Sequence, residues 1–151
     1  MNLESGRGVR SEPGEWLDHF FLGIGYQGLG RPQEAIPEFE TAVRMSSGDQ
    51  DPTAALANAY AVTGRRVEAT KILNDLLLKS KSSYVSPYMV GAIYAGLGDK
   101  DKAFEFLDNA VADRCMDVVW QLKADPRIDS LRSDPRFQRL WQRAGFPPAD
   151  N

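Results

Sequence analysis

A fixed period constrains this chain more than any other feature of it. Gly30, Gly64 and Gly98 each follow the last by 34 positions, as do Tyr26, Tyr60 and Tyr94, and Ala35, Ala69 and Ala103. The columns Gly23/Ala57/Gly91, Leu22/Leu56/Val90 and Phe39/Leu73/Leu107 keep residue size and polarity in the same step. Self-similarity at this spacing marks a solenoid, in which each unit buries its apolar face only against its neighbours. Solenoids offer a continuous concave surface and seldom a catalytic centre, so the period already bears on the class of function.

Each period reads as two helices. Apolar residues recur at helical spacing over 16–29 and 33–45, then 53–63 and 66–79, then 87–97 and 100–112. Gly30, Gly64 and Gly98 mark the breaks, where a residue in the left-handed region closes a helix. Pro32 suits the first turn of a helix, whose N–H groups lack partners anyway. Pro37 lies just past that turn and should cost the helix some straightness. The glycine and alanine columns let paired helices approach closely, and the tyrosines fill the space beside them. Core contacts on the first helices are expected at Leu22, Tyr26 and their repeats.

Leu22-Gly23, Tyr26, Gly30, Ala35, Phe39 and Ala42 resemble the signature of the tetratricopeptide repeat in order and spacing. Val90-Gly91, Tyr94, Gly98, Ala103, Leu107 and Ala110 match it again. The middle unit departs from it, with Ala57 where glycine is usual and Leu76 where alanine is usual, and all three units lack the closing proline. The resemblance covers residues 16–117. It implies an all-α, right-handed solenoid of three helix pairs (about 16–49, 50–83 and 84–117). Residues 1–15, rich in Gly, Ser, Arg and Glu, read as a flexible lead-in.

Beyond 117 the period stops. A short helix over 117–123 contains Trp120, and Asp-Pro-Arg then occurs twice, at 125–127 and 134–136. Aspartate as N-cap before proline at the first helical position is a double helix-start signal. A solenoid needs an atypical last unit over the open face of its final repeat. Residues 118–146 are expected to be that cap, with Trp120, Ile128, Leu131, Phe137, Leu140 and Trp141 covering Phe104, Leu107 and Val111; 147–151 are a tail. This stretch also resembles the C-terminal tails of bacterial signalling proteins in which such repeats follow a kinase, cyclase or winged-helix domain.

Signals for chemistry are scarce. His19 and Cys115 are the chain's only histidine and cysteine and lie in different repeats. His19 is expected to pack on the partner helix, and Cys115 to fill the turn after the third repeat. No Cys/His cluster has metal-ligand spacing, and no glycine-rich phosphate loop is present. Asp125 and Asp134 read as caps rather than catalytic acids. No enzyme and no cofactor are expected. A net charge of −3 speaks against nucleic acid as a dedicated partner. No apolar run approaches the ~18 residues of a membrane span, residues 1–14 lack the apolar centre of a secretory signal, and a lone cysteine fits a reducing, cytoplasmic setting.

In this repeat family the first helix of each pair lines the concave groove. The columns facing it here are Phe20/Ala54/Tyr88, Ile24/Asn58/Ala92 and Gln27/Ala61/Ala95, a surface without charge. Phe20, Ile24, Gln27, Asn58, Tyr88 and Ala92 are the expected peptide- or protein-binding residues, with Asn58 bonding a peptide backbone and the aromatics holding apolar side chains. Family members that grip acidic chaperone tails use lysine and arginine here, so that activity is not expected. The sequence leaves open that the groove is covered by the chain itself, through residues 1–13, or by a second copy as a homodimer.

Overall fold

The computed structural model describes residues 14–113 and 118–147, with the side chains of 118–120 outside that set. Residues 1–13 and Cys115, about which the sequence carries expectations, lie outside the described residues. Six helices come in three antiparallel pairs: α1 (Glu15–Gly28) with α2 (Pro32–Met45), α3 (Gln50–Val62) with α4 (Arg66–Lys79), and α5 (Pro87–Leu97) with α6 (Lys100–Ala112). Then follow α7 (Val118–Ala124), a 3₁₀ turn (Pro126–Leu131) and α8 (Pro135–Arg143). The fold is an all-helical solenoid.

The turns are made as the period requires. Gly30, Gly64 and Gly98 have φ of 74°, 89° and 83°, in the left-handed region, and each follows the first helix of its pair. Helix α2 starts on Pro32, one residue before expectation, and continues through Pro37. The second pair starts three residues before its expected position, because the Asp49 side chain accepts from the Asp51 N–H and caps a helix beginning at Gln50.

Close approach uses the small-residue columns. A Cβ built on Gly23 would lie 2.4 Å from the ring of Phe39, and one on Gly91 would lie 3.1 Å from the Ala103 carbonyl. Ala35, Ala69, Ala103, Phe39 and Leu107 are fully buried. The Leu22/Leu56/Val90 column is a correction. Leu56 and Val90 are buried, but Leu22 is exposed, because among the described residues no helix packs on that side of α1.

Ile128, Leu131, Phe137 and Leu140 of the capping region join one buried cluster with Phe104, Leu107 and Ala110 of α6, and Leu122 of α7 adds to it. Trp141 contributes less than the sequence suggests. It is only partly buried, stacks on Phe146 at 4.0 Å and donates its indole N–H to the Pro147 carbonyl. The side chain of Trp120 lies outside the described residues. The first Asp-Pro-Arg opens a 3₁₀ turn instead of an α-helix, and the second opens α8.

Candidate functional site

Helices α1, α3 and α5 form the inner face, with α3 in contact with both others. The 3₁₀ turn contacts α5 and also α1, so it crosses that face from the third pair to the first. The six residues expected to line the groove converge around this turn. They do not face open solvent there. Asn58, Tyr88 and Ala92 are essentially inaccessible, Phe20 is buried, and Ile24 and Gln27 keep partial exposure. The cap was expected over the end of the third pair only; Asp125 to Leu131 continues across the inner face.

A polar network holds the turn in place. Asn58 Nδ2 donates to the carbonyls of Ala92 at 2.7 Å and Arg127 at 3.3 Å, while its Oδ1 accepts from Gln27 Nε2 at 2.9 Å. The amide thus reads the main chain of a segment lying in the groove. Gly96 packs against the same amide, 2.9 Å from where its Cβ would sit. Tyr88 donates its hydroxyl to Asp125 Oδ2 at 2.8 Å, and the Arg127 guanidinium clamps the same carboxylate from Nε and Nη2 at 2.8–3.0 Å. The Arg127 N–H donates to Asp125 Oδ1 at 2.9 Å, so Asp125 also caps the 3₁₀ turn. Arg132 completes the frame by donating to the carbonyls of Leu122 and Asp125 at 2.7 and 2.9 Å.

Burial pushes the Asp125 carboxyl up, but the charge and hydrogen bonds of Arg127 more than offset it, so its pKa lies below the ordinary value. Burial, then the adjacent Asp125 charge, push the Tyr88 phenol well above its ordinary range. Asp125 is therefore ionised and surrounded by donors, an arrangement that stabilises a carboxylate and leaves it ill suited to accept a proton. Arg127 was missed as a functional-face residue. Its signal was the repeated Asp-Pro-Arg, in which the arginine returns to its own aspartate both times: Arg136 binds Asp134 in the same way and also reaches Asp101 at 2.6 Å.

His19 meets the partner helix through a polar contact, its ring Nδ1 lying 2.7 Å from Glu38 Oε2, and it remains half-exposed. Among the described residues no group of three or more His, Cys, Asp or Glu is placed to hold a metal. Two clefts flank the turn. One of about 250 Å³ is bordered by Gln27, Asn58, Val62, Asp129 and Ser130. A narrower one of about 50 Å³ lies between Phe20, Phe21, Ile24 and Gln121.

Residues 27–86 match the tetratricopeptide repeat family profile. The matched stretch, from the end of α1 to the start of α5, is thus similar to that repeat. Human protein O-mannosyl-transferase TMTC1 (Homo sapiens) is 29% identical over 110 residues, 72% of this chain and 12% of that protein. Superkiller protein 3 of Schizosaccharomyces pombe is 26% identical over 128 residues, 85% of this chain and 9% of that protein. The chain therefore spans about a tenth of the length of these curated relatives. No solved structure matches the chain. Tetratricopeptide repeats as a class mediate protein–protein interaction, and among the described residues no helix is long and apolar enough to cross a membrane.

Proposed function

We propose that this chain is a non-catalytic protein-interaction module and that a partner segment binds along its inner face beside the 3₁₀ turn. One observation carries the reading: the inner face holds a short stretch of polypeptide by its backbone, through Asn58 to the Arg127 carbonyl, and leaves clefts on both sides of it. Phe20, Asn58, Tyr88 and Ala92 secure that stretch. Ile24 and Gln27 remain for a partner, in clefts sized for single side chains. The buried Gln27 Oε1 has no hydrogen-bond partner among the described residues, so a donor on the partner would satisfy an acceptor that is costly to leave unpaired.

A reducing, cytoplasmic setting goes with this proposal through the single Cys115. So does a role as one part of a longer regulatory assembly, since both relatives are far longer than the matched stretch. Neither relative is bacterial, and the likeness of the C-terminal stretch to bacterial signalling proteins adds only the class of regulatory context. One relative's name describes a transferase, whereas here the buried aspartate is locked between Arg127 and Tyr88.

Affinity capture with the intact chain, followed by identification of the bound protein, supplies the partner. Gln27→Ala, which also unpairs Asn58 Oδ1, and Ile24→Asp should then weaken its binding at least tenfold at a temperature where circular dichroism shows both variants still folded. Val67→Ala, at an exposed site on α4, should leave binding unchanged. Equal binding by all three variants would place the contact surface elsewhere.

A further inference from the structure

The larger cleft beside the 3₁₀ turn, about 250 Å³, has two charged residues on its border, Arg127 and Asp129. Only one of them offers its charge to solvent. The Arg127 side chain is 4% exposed and is engaged by the Asp125 carboxylate, whereas the Asp129 side chain is 63% exposed. Asp129 accepts from Arg132 Nε through Oδ1 at 2.8 Å, an ion pair between residues three apart and open to water, which contributes little. Arg132 does not border the cleft and donates its other two nitrogens to the Leu122 and Asp125 carbonyls. The accessible charge in this cleft is therefore negative. Its hydrogen-bonding groups are unbalanced in the same sense. Asn58 Nδ2 and Gln27 Nε2 donate to protein acceptors, and so do Arg127 Nε and Nη2. The acceptor Gln27 Oε1 has no partner among the described residues, and Asp129 and Ser130 carry theirs at exposed positions. Pro32 and Val62 supply apolar wall.

We propose that this cleft takes a cationic side chain, lysine or arginine, from the bound partner segment, with its aliphatic stem on Pro32 and Val62 and its head at Asp129. The inference rests on the reading that a partner lies beside the turn, and it names the chemistry that the cleft selects. Lysine and arginine donate hydrogen bonds and accept none, so they bring what the border lacks. Their methylene stems suit an apolar wall that leads to a polar rim. An acidic or phosphorylated side chain would set negative charge beside Asp129 and add acceptors where the donors are already engaged. A glutamine or asparagine would bring an acceptor together with each donor group. An aliphatic side chain would cover the wall but take water from Asp129 without replacing its hydrogen bonds.

Fluorescent hexapeptide pools, each with one fixed residue among random neighbours, test this by anisotropy against the intact chain. Pools fixed as lysine or arginine should bind about tenfold tighter than pools fixed as glutamate, glutamine or leucine. Asp129→Asn should erase that preference, and Asp129→Lys should turn it towards glutamate, with circular dichroism showing that the fold is kept. Equal binding by all pools overturns the proposal, and so does a lysine preference that Asp129→Lys leaves unchanged. The two readings fail separately. Pools that bind without charge preference, but more weakly to Ile24→Asp, keep the inner-face site and remove the cation. Binding that Ile24→Asp leaves untouched, or no binding by any pool, removes both. Should Asp129→Lys fail to fold, Asp129→Asn decides: a cation preference it retains overturns the proposal.

Discussion

Gly23 and Gly25 sit two residues apart on α1 and answer opposite demands. Gly23 faces Phe39, whose fully buried ring leaves no room for a methyl group. Gly23→Ala should therefore destabilise the protein by about 1–3 kcal/mol, as overpacking of a filled core does. Gly25 faces open space in helical conformation, so Gly25→Ala should stabilise by about 0.5–1 kcal/mol through the unfolded chain. Urea unfolding at low protein concentration reads both, and the same sign for the two would refute the packing described. The Asp125–Arg127 pair is a stronger case. Arg127→Met leaves a buried carboxylate with only the Tyr88 hydroxyl and the backbone N–H of residue 127 as donors and should cost about 3–5 kcal/mol. Adding Asp125→Asn should recover part of that loss, which the same unfolding curves measure as a coupling between the two sites.

The capping helix α8 shows how a short element is fixed. Nine residues would not hold a helix alone in water; Phe137 and Leu140 anchor it on α6, and Asp134 caps its start by accepting from the Arg136 N–H at 2.9 Å. Leu140→Ala should cost about 2–5 kcal/mol, read as a fall in the urea midpoint, and Trp141→Ala should cost less because its ring is partly in water. The Arg136 side chain, which folds back on its own aspartate, holds the Asp134 carboxyl down at about 2. A depressed pKa stabilises the fold above the unfolded value of ~3.9 and loses that contribution as pH falls towards about 2. Acid titration followed by circular dichroism should show this loss between those values in the wild-type chain. Asp134→Asn should be weaker at neutral pH and flatter across that window; an unchanged acid profile would remove Asp134 from the account. Tyr88 has the opposite sense: its raised pKa supports the fold up to pH ~10 and disfavours it in stronger alkali.

At the scale of the molecule, the cap ties distant repeats together. Most solenoid units touch only their neighbours, but the 3₁₀ turn touches both α1 and α5. Truncation after Asp117 removes Leu122, Ile128, Leu131, Phe137 and Leu140 together, uncovers Phe104 and Leu107, and returns Asn58 and Tyr88 to solvent. The truncated chain should melt at a markedly lower temperature and aggregate on heating, measured by calorimetry and light scattering. A truncated chain as soluble and as heat-stable as the full one would make residues 118–147 an appendage.

The repeat architecture was legible because a solenoid's contacts are local and periodic. The glycine turns, the Gly23 and Gly91 approaches and the set of residues on the inner face follow from the 34-residue register and the 3.6-residue period. Each of these depends on residues close in sequence or one period away. What that surface meets was not legible. Asn58 and Arg127 are 69 positions apart and in no common register, and the Asp-Pro-Arg motif gives a helix start without a direction. Only tertiary packing decided that the first copy would cross the inner face, burying an ion pair against Tyr88. Leu22 has the same cause in reverse. Its sequence column marks it as core, and it lies in solvent because burial depends on a neighbouring helix that no residue of α1 can supply.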